Sequence, residues 1–297
     1  MPVTSPSPSR TGALLAIAGA CLWGTTGTSQ ALLVGTHSPV AVGSLRALVA
    51  AAVLLLVAVV RGRGPAGLTH AAGSGRWRWL LVAGIGVAVY QLTFFAAVAA
   101  TGVGVGTLVM LASAPAVAGL AGWAMDGDRP SRIWAISTLI GLAGAALLVL
   151  GAGGETRIAW SGILLAVAAG AAFALYSIAG RRLAAPEVDG LSLTACIFVV
   201  AAALLAVPLS SQDLGFATEP RSLLVLAWLG VLATAVAYLL YQSAMRHITA
   251  ATAATLALAE PMVANLLAIG VLHEPFTWMM GCGVALVLAG LALLARA

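Results

Sequence analysis

Uninterrupted apolar runs constrain this chain more than any other feature. Ten stretches of largely apolar residues follow one another, at roughly 12–34, 39–60, 79–99, 103–124, 132–152, 160–180, 190–208, 222–244, 250–271 and 276–295. A helix of about 20 such residues, rising 1.5 Å per residue, crosses the hydrocarbon core of a bilayer. Barrel strands alternate apolar and polar residues, and these runs do not, so helices are predicted. The weakest break lies near Thr101–Gly104, where no charge separates the third run from the fourth. Of the 297 residues, 62% are hydrophobic and 8% charged, against about 25% charged in an ordinary soluble domain. A soluble fold lacks the charge it would need, and disorder requires the opposite balance. The expected class is an all-α polytopic membrane protein with ten transmembrane helices.

All 14 basic residues are Arg. With the N-terminus inside, 11 of them fall on the inner side: Arg10, Arg61, Arg63, Arg76, Arg78, Arg129, Arg132, Arg181, Arg182, Arg246 and Arg296. Arg157 and Arg221 fall outside, and Arg46 lies within the second run. Basic residues accumulate on the cytoplasmic side, so both termini are predicted to be cytoplasmic, in a bacterial inner membrane. No basic stripe exists that would hold nucleic acid. Cys21, Cys196 and Cys282 lie inside apolar runs and read as packing residues, so neither a disulfide framework nor a metal site is expected. Residues 1–10 are polar and rich in Pro and Ser, and read as a short disordered lead.

The chain repeats itself. Gly12 to Ala18 (GALLAIA) matches Gly162 to Ala168 (GILLAVA) at an offset of 150. Gly84 through Pro115 matches Gly230 through Pro261 at 146, and Leu142-Ala143-Gly144 matches Leu288-Ala289-Gly290 at the same offset. Two copies, 11–153 and 159–296, each hold five spans. An odd number of spans makes the second copy enter the membrane upside down, so two inverted five-helix repeats are predicted. In such architectures solute sites lie near the midplane between the repeats.

In this arrangement the chain resembles the EamA branch of the drug/metabolite transporter superfamily. The resemblance rests on Leu22-Trp23-Gly24, Arg46 and Pro115 in the first half. In the second half it rests on Glu260-Pro261 and His273-Glu274. Asp128-Arg129 departs from the pattern that His273-Glu274 keeps. The resemblance implies transport of amino acids, other small metabolites or drugs, and leaves the solute open.

Residues at i, i+3, i+4 and i+7 share a helix face. Such faces hold Trp23, Thr26, Gly27 and Gln30 in the first span, and Tyr90, Gln91, Phe94 and Phe95 in the third. Phe173, Tyr176, Ser177 and Gly180 share one in the sixth, and Tyr238, Tyr241, Gln242 and Met245 one in the eighth. Polar groups facing lipid are costly, so these faces are expected to line a pathway or to bond between helices. Rings with amides and hydroxyls suit a neutral or zwitterionic amphipathic solute. Glu260 is the one carboxyl deep within a span, roughly 15 Å from its start. It is a candidate coupling or solute-binding group, with Pro261 and Pro115 as helix-break positions. Arg46 is expected to snorkel outward or to form a structural ion pair. No phosphate-cradling loop is present, and His37, His70, His247 and His273 are scattered, so an enzyme is not expected. The expected function is secondary active export of amino acids, aromatic or bulky neutral ones preferred, or of related metabolites. A lipophilic-drug exporter and a passive channel are the alternatives. No cofactor and no protein partner are called for beyond the solute and the bilayer.

Overall fold

The computed structural model describes residues 9–63, 75–127, 129–152, 159–184, 188–273 and 275–294. The N-terminal lead up to residue 8, His70, Asp128, Arg157, Glu274 and Arg296 lie outside the described residues. The described chain is helical, with helices α1 (Arg10–Ala31), α2 (Pro39–Val60), α3 (Trp77–Thr101), α4 (Val103–Asp126) and α5 (Arg132–Gly151) in the first half. The second half holds α6 (Trp160–Leu183), α7 (Gly190–Leu209), α8 (Pro220–Ala244), α9 (Ala250–Leu272) and α10 (Trp278–Leu294). Helices α2 to α9, eight in all, are long and apolar enough to cross a membrane. α10 is a shorter apolar helix of 17 residues. α1 has 22 residues, and its second half carries Thr25, Thr26, Thr28, Ser29 and Gln30.

Local chemistry sets the helix ends. Ser9, Ser38, Ser131 and Thr249 each accept a bond from the backbone N–H three residues on, and Asp189 does the same for Ser192. Those side chains satisfy donors that a helix start leaves open. The weak break between α3 and α4 is a single residue, Gly102, at φ +86°. A side chain would be strained there, so glycine alone divides two otherwise continuous helices.

The packing crosses between the halves. α1 packs on α8 and α9, while α6 packs on α3 and α4. α2 packs on α7, and α5 on α10. Small residues let the backbones approach. A Cβ on Gly144 would sit 2.7 Å from both the Gly283 carbonyl oxygen and the Val287 nitrogen. A Cβ on Gly290 would sit 2.8 Å from the Ser137 oxygen and 2.9 Å from the Gly141 nitrogen. Gly84 fits against Val200 and the Ile197 carbonyl, and Gly230 against Val49 and the Arg46 carbonyl. Large side chains such as Val60, Leu139, Leu164, Val207 and Leu224 stand exposed on the outer surface, facing where lipid would be.

Two helices are irregular. α8 passes through a π-helical segment, Val231–Val236, where the Thr234 hydroxyl donates to the Leu229 carbonyl at 2.7 Å. α9 consists of Ala250–Leu256 and Ala259–Leu272. Around that junction Leu258 N–H donates to Thr255 O and Glu260 N–H to Ala257 O, both three residues back. The expected break at Pro115 is corrected, because α4 runs unbroken through it. A proline removes one backbone donor, and spanning helices tolerate that where side chains re-satisfy the turn.

Gly144→Leu will push α5 and α10 apart. Overpacking of this kind costs roughly 1–3 kcal/mol. A lowered melting temperature in detergent, with Leu139→Ala on the exposed face unchanged, is the expected result.

Candidate functional site

A knot of rings fills the middle of the bundle. Trp23 of α1 meets Phe173 of α6 at 5.5 Å between centroids, and Tyr238 and Tyr241 of α8 at 5.0 Å each. Tyr176 lies 5.4 Å from Tyr238, and Phe198 of α7 is 4.9 Å from Tyr238 on another side. Tyr90 of α3 reaches Phe173 at 5.7 Å and stacks on Phe94 at 5.5 Å. Tilted and edge-on contacts of this kind add to the area the rings bury.

Polar groups are threaded through the knot. Ser177 and Tyr241 hydroxyls are 3.3 Å apart, and Gln242 Nε2 donates to the Gly180 carbonyl at 2.9 Å. The indole N–H of Trp23, the Tyr176 hydroxyl and Gln242 Oε1 are buried with no hydrogen-bond partner among the described residues. Such groups are unusual in an interior, and each is available to something that arrives.

Against the knot lies a small, largely enclosed cavity of about 10 Å³, the room of about one water. Trp23, Tyr90 and Phe173 form its aromatic wall, and Glu260 supplies its carboxylate. Met110, Leu111 and Ala114 of α4, with Ala254 and Ala257 of α9, complete it. These five small or flexible residues carry no polar signal, so the helix-face reading missed them. The repeat does carry a signal: Leu111 and Ala114 stand 146 residues before Ala257 and Glu260, and Trp23 stands 150 before Phe173.

Glu260 occupies the first turn after the junction in α9. Gly24 makes room for it, since a Cβ there would lie 2.7 Å from the Glu260 carbonyl oxygen. Pro261 is buried behind it. Pro115 is buried in α4 and does not line the cavity. Thr26 and Gln30 are half-buried and stand apart from the cavity wall. Their neighbours Thr25, Thr28 and Ser29 instead line a separate, open groove of about 340 Å³. Leu224, Val225 and Trp228 of α8 and Leu267 and Val271 of α9 form its other walls. The Trp228 indole donates to Thr25 Oγ1 at 3.0 Å beside it.

Arg46 requires a correction. It neither snorkels nor sits in an ion pair; it is 3% exposed, and Nη2 donates to Gln91 Oε1 at 3.0 Å. Its guanidinium carbon lies 5.5 Å from the centre of the Phe95 ring. α2 turns this residue inward, towards α3 and the π-helical part of α8, so its stem has no route to the surface. Among the described residues the one ion pair joins Arg63 to Asp189, at the end of the bundle where α1 begins. Arg181 donates to the Ile248 carbonyl and Arg246 to the Val188 carbonyl at that same end.

A model of the EamA-like transporter family matches the chain twice, over residues 10–150 and 160–296. An uncharacterized transporter of Bacillus subtilis, YwfM, is 34% identical over 287 residues, which cover 96% of this chain and 93% of that protein. An uncharacterized transporter of Clostridium kluyveri is 26% identical over 172 residues, 55% of this chain and 54% of that one. A protein of known crystal structure shares the fold with a TM-score of 0.80 at 22% identity, covering 96% of this chain and 97% of that one.

Trp23→Ala will remove the ring that joins α1, α6 and α8. Truncating a buried aromatic costs roughly 3–5 kcal/mol. A fall in thermal stability much larger than for Trp228→Ala on the half-exposed groove is the expected measurement.

Proposed function

The chain belongs to the EamA-like transporter family, and from that premise we propose a ten-span secondary active transporter built of two inverted repeats, residues 11–153 and 159–296. It exports amino acids, aromatic or bulky neutral ones preferred, or related small metabolites, by alternating access. Both termini face the cytoplasm of a bacterial cell, and the membrane is the inner one.

The packing supports the inverted repeat. Exchanging α1 with α6, α2 with α7, α3 with α8, α4 with α9 and α5 with α10 maps α3–α6, α4–α6 and α3–α7 onto α1–α8, α1–α9 and α2–α8, and maps α2–α7, α5–α10 and α4–α9 onto themselves. The glycine contacts exchange as well: Gly144 against Gly283 and Val287 becomes Gly290 against Ser137 and Gly141. The cavity then sits where the copies meet, with Trp23 opposite Phe173 and Ala114 opposite Glu260.

One observation carries the carrier reading. The cavity is small and largely enclosed, lined by rings and one carboxylate drawn from both halves. A passive channel needs a continuous aqueous path, and the aromatic knot fills the place where it would run. With the N-terminus inside, the Arg63–Asp189 pair lies towards the cytoplasm. Rocking of the two halves opens one side at a time. Rings hold an apolar side chain, and a carboxylate among rings suits an ammonium group. The open groove lined by Thr25, Leu224, Trp228 and Leu267 favours a second reading, in which lipophilic compounds enter from the bilayer.

Counterflow in proteoliposomes separates these readings. Labelled phenylalanine or tryptophan will accumulate against the same unlabelled amino acid trapped inside, and saturate. Flux that grows linearly with concentration and shows no exchange would indicate a pore. Glu260→Gln will leave the protein folded and remove the pH dependence of transport; a variant with the wild-type pH profile would reject Glu260 as the coupling group. A reporter fused after Ala297 will read cytoplasmic if the orientation holds.

A further inference from the structure

Among the described residues Arg46 is a buried cation without an ion-pair partner. It is 3% exposed inside the bundle, and it has five N–H donors. One of them is bonded, from Nη2 to Gln91 Oε1, and Nε has no partner among the described residues. Gln91 is 1% exposed, and its own amide Nε2 also lacks a partner among them. Phe95 covers one face of the guanidinium and supplies no acceptor. A guanidinium in a membrane interior is costly, and such groups face a bundle interior or cavity and pair with something. Glu260 does not fill the role, since no ion pair joins the two among the described residues.

The cluster does not line the cavity itself but connects to its wall through a run of rings. Tyr90, in the cavity wall, is the sequence neighbour of Gln91 and stacks on Phe94, which contacts Phe95 at 5.5 Å. Rings therefore run from Arg46, over Phe95 and Phe94, to Tyr90, which lines the cavity together with Glu260.

We propose that Arg46 and Gln91 form a carboxylate-binding pole, which holds the acid group of a zwitterionic solute while Glu260 and the cavity rings receive its ammonium group and side chain. The proposal rests on the carrier reading above and gives it a polarity. A planar fork matches a carboxylate bidentately, and the free amide of Gln91 adds a further donor. One fixed positive charge balances one carboxylate and leaves a phosphate dianion uncompensated. The solute thus replaces the missing anion, and its two charges are neutralised only when it spans both poles. Lipophilic amines satisfy Glu260 alone and leave Arg46 unpaired, so the site discriminates against them.

The test is counterflow with three trapped solutes of one shape: phenylalanine, 2-phenylethylamine, which lacks the carboxylate, and 3-phenylpropionate, which lacks the ammonium. Wild-type protein is expected to exchange phenylalanine best. Arg46→Gln is expected to raise its half-saturating concentration roughly 10- to 100-fold, the loss of a hydrogen bond to a charged group. The value for phenylethylamine, which has no carboxylate for Arg46 to hold, is expected to stay unchanged. Gln91→Glu places a carboxylate beside Arg46 in nearly the same volume and is expected to give the same selective loss. That second variant keeps the test open should Arg46→Gln fail to fold.

An unchanged half-saturation for phenylalanine in folded Arg46→Gln or in Gln91→Glu would overturn the proposal. An equal loss for phenylalanine and phenylethylamine would overturn it too, by making the cluster a helix-packing device. The series is repeated with chloride replaced by gluconate. Exchange of phenylethylamine that depends on chloride would assign Arg46 to an inorganic anion instead. Wild-type protein that exchanges none of the three solutes would remove the amino-acid reading, and this proposal with it. Wild-type exchange with unselective variants would remove the proposal alone.

Discussion

Nothing in the hydrocarbon of a bilayer can hydrogen-bond to a protein, and every other feature of this chain follows from that. The backbone has to satisfy itself, which leaves helices for continuous apolar runs. Side chains with polar atoms have to turn inward. Here they are buried and find partners: Arg46 donates to Gln91, Ser177 meets Tyr241, and Gln242 donates to the Gly180 carbonyl. The outer surface is left to Leu56, Leu139, Leu164 and Leu224. A bundle built this way concentrates its chemistry at its centre without any further device.

Close helix contact comes from absent side chains. Hydrophobic attraction does not separate helix from lipid, so contact depends on shape. Gly84, Gly144, Gly230 and Gly290 bring helices of one half against helices of the other. The same close approach fixes where Trp23 meets Phe173, and hence where the cavity lies. Stability and site are set by one set of contacts.

The halves share a pattern and differ in chemistry. Pro115 sits in an unbroken α4, whereas Pro261 follows a junction in α9 that exposes Glu260 to the cavity. Ala114 stands where the second half has Glu260. Arg46 faces Gln91 on the first-half side, and Ile197 stands at the position that faces Gly84 in the equivalent contact. Two similar frames therefore present opposite charges across one wall of rings. In a site between two such frames, a solute with distinct ends meets distinct partners.

Much of this was legible in residue order. Apolar run length placed α2, α5 and α7 within a residue or so of their observed ends. The aromatic and amide positions of α3, α6 and α8 followed from helical spacing, because inward polar groups are the ones a membrane helix retains. Thr26 and Gln30 were misplaced by the same rule. α1 is polar over a wide arc, and its orientation was settled by Gly19 and Gly24 against α8 and α9. Arg46 was read as a surface-seeking charge because depth along a helix is visible in a sequence and direction is not. The sequence by itself determined which segments are helices and which residues are too polar to face lipid, because the bilayer imposes those on each segment separately. Tertiary structure alone decided that Arg46 pairs with Gln91, that α9 opens at Glu260 while α4 stays closed at Pro115, and that alanines complete the cavity. Those depend on which helix lies opposite, and no residue carries that information alone.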